Sequence, residues 1–156
     1  MEANTNTEAV TRLTLTVFRL NGALLHWGDQ LVEPVGLTSA RWQMLGAIAL
    51  AGTPLTAPQV GEAMGVSRQG AQKQLNLLLE QGMVESHPNP AHRRSPLYVL
   101  TPHGFETYQQ AIELWTTQAA ELAQLFSTVQ IRETTSTLES ILHHVQTTSH
   151  RSEIES

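Results

Sequence analysis

The segment from Thr56 to Gly104 constrains the fold more than any other part of this 156-residue chain. A threonine with a proline two residues later is typical of a helix start, and Gly65 follows about two turns later, where a left-handed residue commonly ends a helix. Ser67 then begins a second helix pattern, which Gly82 ends. Two short strand patterns follow, so the predicted order is helix, turn, helix, strand, strand.

The two strand patterns enclose a tip that we do not expect to join a sheet. Residues 83–85 and 97–100 are strand-like, whereas residues 87–96 contain three prolines, which lack the amide hydrogen that a strand needs. Arg93 and Arg94 lie in this tip. Arginine there can enter the narrow minor groove of DNA or bind phosphate, although a loop tip also carries arginine simply for solubility.

The second helix pattern has one apolar and one polar face. Ala71, Leu75 and Leu78 share the apolar stripe, and the opposite face carries Arg68, Gln69, Gln72, Lys73 and Asn76. Side chains of these types can pair with base edges in the major groove. A solvated helix can show the same pattern, but the preceding helix and glycine turn favour DNA recognition. We therefore predict a winged helix-turn-helix over residues 38–101, in which Ser67 caps the recognition helix and contacts phosphate.

Long helical patterns flank this module on both sides. Residues 1–37 repeat apolar residues at helical spacing, and residues 102–148 contain a heptad seam formed by Phe105, Tyr108, Ile112, Trp115, Ala119, Leu122 and Phe126. These faces are larger than a small DNA-binding module can cover, so we predict that both flanks form a homodimer interface; packing within one chain is the alternative. Residues 149–156 are assigned to a tail. The predicted fold class is mainly α with a small β-hairpin.

The net charge of −5 argues against a nucleic-acid partner, but the distribution of charge does not. Residues 38–104 contain five basic and three acidic side chains, whereas both flanks are acidic. Salt screens charges beyond about 10 Å, so the local sign matters more than the total. The positive charge therefore coincides with the predicted DNA-binding module.

Composition excludes several other classes. The chain has no cysteine, which excludes disulfides, thiolate zinc sites and cysteine nucleophiles. No apolar run approaches the roughly 18 residues that a membrane span needs, and the first residues are polar, so we expect a cytoplasmic protein without a membrane partner. No catalytic triad, carboxylate pair or glycine loop occurs in a suitable context, so we expect neither enzyme activity nor a cofactor.

The chain resembles the MarR family of bacterial transcription regulators over residues 8–148. The matching pieces are LTSARWQML, LTAPQVGEAMGVSRQGAQKQLNLLLEQGMV, and the wing followed by LTPHG. The resemblance implies an obligate homodimer whose recognition helices enter successive major grooves of a pseudo-palindromic operator, with the wings in the flanking minor grooves. It also implies that the protein regulates transcription, more often as a repressor than as an activator. A small aromatic or acidic ligand would release it from DNA.

Three positions depart from the family pattern. The family usually has an aspartate that braces the wing two residues before the second wing arginine, and this chain has His92 there. Leu77 and Leu79 occupy positions that are more often charged, and Lys73 is the only lysine in the chain. Because non-specific DNA affinity grows with the number of phosphates neutralised, we expect that affinity to be modest.

The resemblance also implies a ligand cleft lined by the first, second and fifth helices, for which the sequence offers His26, Trp27, Arg41 and Trp42. Flat aromatic side chains suit a planar ligand, and the arginine could pair with a carboxylate. Three histidines near the C-terminus, His143, His144 and His150, suggest a metal-responsive regulator as one alternative. Adjacent histidines diverge by about 100° on a helix, however, so no metal site is predicted. A winged-helix protein-interaction module with weak DNA binding is the other alternative.

Overall fold

The structure, a computed structural model, describes residues 2–154 and the side chains of residues 5–149. The helices are α1 Glu2–Val32, α2 Ser39–Ala51, α3 Ala57–Met64, α4 Arg68–Glu80, α5 Pro102–Ala123 and α6 Thr128–Ile154, and the strands are β1 Val84–His87 and β2 Leu97–Leu100. The predicted class, mainly α with a small β-hairpin, is confirmed. Within residues 2–154, no helix combines the length and the hydropathy that crossing a membrane requires.

A hydroxyl side chain caps each of the three short helices. The Thr38 hydroxyl accepts a hydrogen bond from the Arg41 amide, and the Ser67 hydroxyl accepts one from the Gly70 amide at 3.0 Å. Thr56 forms a reciprocal capping box with Gln59. The predicted starts of α3 and α4 are therefore confirmed, because these caps satisfy amide groups that the first helical turn leaves unpaired.

The core lies between α2, α3 and α4. Its largest fully buried side chains include Met44, Leu45, Val60, Leu75 and Leu78. α3 and α4 approach closely because Gly61 has no side chain, and a Cβ there would lie 2.6 Å from the Val66 carbonyl oxygen. This packing turns the apolar stripe of α4 inward and leaves its polar face exposed.

The hairpin is longer than the sequence indicated. β1 pairs antiparallel with β2 from Val84 opposite Leu100 to His87 opposite Leu97. The prediction that the non-strand tip begins at His87 is therefore wrong by one residue; the first proline follows it and ends the pairing. Leu55, just before α3, adds a bridge to the hairpin through two backbone hydrogen bonds with Tyr98, of 2.7 and 3.2 Å.

The start of α5 is fastened to the start of the hairpin. The Thr101 hydroxyl donates to the Gly82 carbonyl oxygen at 2.6 Å and accepts from the Gly104 amide at 3.0 Å. Gly104 packs so closely that a Cβ there would overlap the carbonyl oxygen of Met83. This contact explains why the LTPHG segment needs both a threonine and a glycine.

The chain forms two compact units, of which the first ends at Trp115 and the second begins at Thr116. The first contains α1 to α4, the hairpin and the first part of α5. The second contains the remainder of α5 together with α6. Seven of its large apolar side chains are exposed: Leu122, Leu125, Phe126, Val129, Ile131, Leu142 and Val145. The functional boundaries predicted from the sequence, at residues 37, 101 and 148, stay predictions.

We expect Gly104→Ala to lower the free energy of unfolding by about 2 kcal/mol, because overpacking a closely fitted site typically costs 1–3 kcal/mol. Gly46→Ala is the matched control, since a Cβ at this buried helical glycine meets its nearest neighbours at an ordinary 3.6 Å. Denaturant-induced unfolding measures both variants. Equal stability of Gly104→Ala and wild type would contradict the close approach of α5 to Met83.

Candidate nucleic-acid interface

The polar face of α4 brings together five of the predicted major-groove residues. Arg68, Gln69, Lys73 and Asn76 are exposed, and Gln72 is half-buried. Together with Leu77 they line one shallow, open concavity. Ser67 is exposed at the N-terminus of the same helix, where its hydroxyl is engaged in the cap. Donors and acceptors therefore converge on a single solvent-facing surface.

Two of these residues form a hydrogen-bonded pair that is tied to the wing. The Gln72 side-chain nitrogen donates to Asn76 Oδ1 at 2.9 Å and to the Tyr98 hydroxyl at 2.9 Å. Tyr98 is buried in β2 and lies 26 residues away along the chain. Sequence reasoning missed Tyr98 as part of this surface, because local strand propensity gives no sign of a contact with a distant helix.

The wing tip is braced by Asn89. Its side-chain nitrogen donates to the Ser95 carbonyl oxygen at 2.9 Å, and its Oδ1 accepts from the Ala91 amide at 3.1 Å. Its backbone carbonyl accepts from the amide of His92, whose own carbonyl accepts from the Ser95 amide at 3.0 Å. The loop that carries Arg93 and Arg94 is thus closed by four hydrogen bonds.

The two wing arginines are exposed. Among the side chains described, from residue 5 to residue 149, the contact within ion-pair distance is that between His87 Nε2 and Glu85 Oε1, at 2.9 Å on the exposed wing, and it does not involve an arginine. Neither Arg93 nor Arg94 therefore has its charge paired within the described part of the chain. Such guanidinium groups can approach phosphate or the minor groove without first breaking an internal ion pair.

A separate aromatic pocket lies beside α1 and α2. The three tryptophans of the chain meet there: the ring centres of Trp27 and Trp115 are 5.9 Å apart in a T-shaped arrangement, and those of Trp42 and Trp115 are 6.2 Å apart. They border a cavity of about 250 Å³ that is lined by Asn21, Leu24, Leu25, Trp27, Gly28, Ser39, Trp42, Gln43 and Trp115. None of these nine residues is charged.

Only two of the four predicted ligand residues line this pocket. Trp27 and Trp42 do, whereas His26 is exposed elsewhere on α1, and the half-buried Arg41 donates through Nε to the Thr38 hydroxyl at 3.3 Å. Sequence reasoning placed Trp115 in a heptad seam and did not include it in the pocket. No local pattern could have indicated the cluster, because helical spacing gives no distance between residues of different helices.

One pocket wall is the tight crossing of α1 and α2. The Ser39 hydroxyl donates to the Leu25 carbonyl oxygen at 2.8 Å, and the Ser39 amide donates to Asp29 Oδ1 at 2.7 Å. A Cβ at Gly28 would overlap the Ser39 hydroxyl, so only glycine permits this approach. The wall is therefore held by specific hydrogen bonds as well as by apolar packing.

The histidines near the C-terminus do not form a metal site with other side chains described. Within that part of the chain, no group of three histidine, aspartate or glutamate side chains is placed to hold a metal ion. His143 and His144 are exposed. The side chain of His150 lies outside the described residues.

A helix, a glycine turn, a helix with an exposed polar face and a braced basic hairpin together define a winged helix-turn-helix of the type found in DNA-binding regulators. A profile of the MarR family matches residues 35–95. Uncharacterized proteins of Mycobacterium tuberculosis and Mycobacterium bovis are 40% identical over 106 residues, which cover 68% of this chain and 73% of each relative. The chain belongs to the MarR family.

Solved structures show the same fold. A MarR-family transcription regulator matches with a TM-score of 0.75 at 21% identity, covering 94% of this chain and 96% of that one. The M. tuberculosis regulator MosR in complex with DNA matches with a TM-score of 0.69 at 23% identity, covering 85% and 96%. CouR from Rhodococcus jostii bound to p-coumaroyl-CoA matches with a TM-score of 0.72 at 19% identity, covering 83% and 90%.

We expect Asn89→Ala to loosen the wing tip, because two side-chain hydrogen bonds worth about 1 kcal/mol each are lost. Brief digestion with trypsin measures this: cleavage after Arg93 and Arg94 should become about tenfold faster, since a protease cleaves the transiently opened loop. Cleavage after Arg132 in α6 is the internal control and should not change. An unchanged rate at the wing would show that Asn89 does not brace it.

Proposed function

We propose that this protein is a sequence-specific regulator of transcription that binds double-stranded DNA. The observation that carries this proposal is the exposed polar face of α4, flanked by a wing whose exposed arginines have no charge partner among the described side chains. We assign contacts with the major groove or its phosphates to the predicted α4 residues Ser67, Arg68, Gln69, Gln72, Lys73 and Asn76. Arg93 and Arg94 would contact the minor groove or phosphates beside it. The complex of MosR with DNA supports the proposal by similarity of fold.

We infer that the protein acts as a homodimer built from the first and last helices. In α1, large apolar side chains are exposed, and Phe18 is 70% exposed. In the second unit, Leu125 is 70% and Val129 is 62% exposed. Large apolar side chains exposed in such numbers mark an interaction site, and a two-fold dimer would place two recognition helices on a pseudo-palindromic operator. Residues 1–37 and 102–148 are the proposed dimerisation regions.

We further propose that a small aromatic ligand occupies the tryptophan pocket and releases the protein from DNA, so that the regulator acts as a repressor. The T-shaped and tilted ring pairs offer aromatic faces and edges, while Asn21 and Gln43 supply polar groups that could orient a ligand. CouR, which has a similar fold, is bound to p-coumaroyl-CoA. Because no charged residue lines the pocket, a neutral ligand is favoured over a carboxylate.

DNA binding is tested by titrating the protein against its own upstream DNA across a range of salt concentrations. Binding should weaken steeply as salt rises, and Arg94→Ala should reduce the slope of log affinity against log salt by about one unit, as expected for the loss of one phosphate contact. Arg41→Ala on α2 removes the same charge outside both the residues assigned to DNA and the proposed dimerisation regions, and is the matched control. Binding that does not depend on salt would instead favour the protein-interaction module.

The dimer is tested by sedimentation equilibrium. We expect Leu142→Glu to weaken association about 30-fold or more, because burying a charge in an apolar interface costs at least as much as losing a strong contact there. Leu50→Glu is the matched control, since Leu50 is 77% exposed on α2, outside the proposed interface. A monomeric wild type, or equal dimerisation of Leu142→Glu, would contradict the assignment.

The ligand pocket is tested with benzamide and benzoate, two flat probes of similar shape and different charge. Both should quench tryptophan fluorescence, because all three tryptophans border the pocket, and benzamide should bind about tenfold more tightly because benzoate would bury an unpaired charge. Trp115→Phe should weaken binding, whereas Arg41→Ala should not. Loss of benzoate binding in Arg41→Ala would instead support a carboxylate site at that arginine.

A further inference from the structure

The amide group of Gln72 has no hydrogen left for DNA. A glutamine side chain has two N–H hydrogens and one carbonyl oxygen. Its nitrogen donates to Asn76 Oδ1 and to the Tyr98 hydroxyl, both at 2.9 Å, which engages both hydrogens. The carbonyl oxygen is therefore the polar atom of Gln72 that remains to contact a base.

Tyr98 can fix the orientation of the Gln72 amide because the tyrosine is itself fixed by core packing and by backbone hydrogen bonds. It is 2% exposed, so its ring is packed in the core. Its backbone amide and carbonyl are both hydrogen-bonded to Leu55, and β2 pairs it with Ser86 of β1. The hydroxyl consequently occupies a fixed position at the base of the α4 polar face.

We propose that Tyr98 is a specificity-determining positioning residue, which acts through Gln72 and does not itself touch DNA. This inference rests on the proposed DNA-binding function. The Gln72 carbonyl oxygen can only accept a hydrogen bond, so it selects a base with an exocyclic amino group in the major groove, which is adenine or cytosine. Guanine and thymine present acceptors there and are rejected at this position.

Asn76 completes the recognition unit. Its Oδ1 accepts from Gln72, so its side-chain nitrogen is the donor that it presents to DNA. The pair therefore offers an acceptor beside a donor, which complements the N6 amino group and N7 of adenine. A glutamine that is free to rotate could make both of these bonds alone, or could turn its donors towards guanine. The contact with Tyr98 removes that freedom.

The proposal is tested by selecting bound sequences from a random duplex DNA library with full-length variants. Gln72→Ala identifies the base position that Gln72 contacts. Wild type should favour an amino-bearing base there by about tenfold, equivalent to about 1.4 kcal/mol. Tyr98→Phe keeps the buried ring but loses the hydroxyl, and its preference at that position should fall below about threefold. Tyr108→Phe, which alters the other buried tyrosine of the chain, is the matched control and should retain the wild-type preference.

A second variant does not disturb the core. Gln72→Glu has only acceptor oxygens, so it should keep the preference for an amino-bearing base while binding more weakly because of repulsion from phosphate. An unchanged preference in Tyr98→Phe, or a shift of Gln72→Glu towards guanine or thymine, would overturn the proposal and leave the proposed function intact. If the wild type selects no sequence at all, the proposed function fails together with this inference.

Discussion

The position of Tyr98 is the constraint on which the DNA-facing surface depends. The backbone of this residue pairs with Leu55 ahead of α3, its ring lies in the core, and its hydroxyl reaches Gln72 on α4. Tyr98 therefore links the wing, the helix-turn-helix and the polar face that we assign to DNA. α4 and the wing are coupled through the part-buried hydrogen bond from the Gln72 side-chain nitrogen to the Tyr98 hydroxyl, at 2.9 Å.

In this chain the wing tip is braced by Asn89. His92 replaces the aspartate that the family usually has, and its exposed side chain takes no part in the hydrogen bonds that close the tip. Asn89 closes the loop with both ends of its amide. An amide can donate to one backbone group and accept from another, which an aspartate cannot do. The arginines of the wing therefore stay on a structured loop.

The wall of the aromatic pocket depends on the close approach of α1 and α2. The absence of a side chain at Gly28 lets Ser39 reach the backbone of α1, and this crossing forms the wall beside the tryptophans. The three rings meet in T-shaped and tilted pairs at the edge of this cavity, so both ring faces and ring edges are available to a ligand. A ligand that occupied it would press on α1, α2 and α5 at once, which connects the proposed effector site with the helices that position the DNA-binding module.

The sequence by itself determined the elements and their order. The caps Thr56 and Ser67, the apolar stripe of α4 and the prolines of the wing act within a few residues, so local patterns were enough to predict them. The extension of β1 to His87 was missed, because strand length depends on the partner strand.

Only the tertiary structure decided which distant side chains meet. The contact between Gln72 and Tyr98, and the convergence of Trp27, Trp42 and Trp115, join residues far apart in the chain, and helical periodicity gives no distance between different elements. His26 and Arg41 suited a ligand by residue type, yet neither lines the tryptophan pocket. Residue type and spacing determine which side chains lie on each face of a helix or strand. The packing of these elements decides which of those side chains meet.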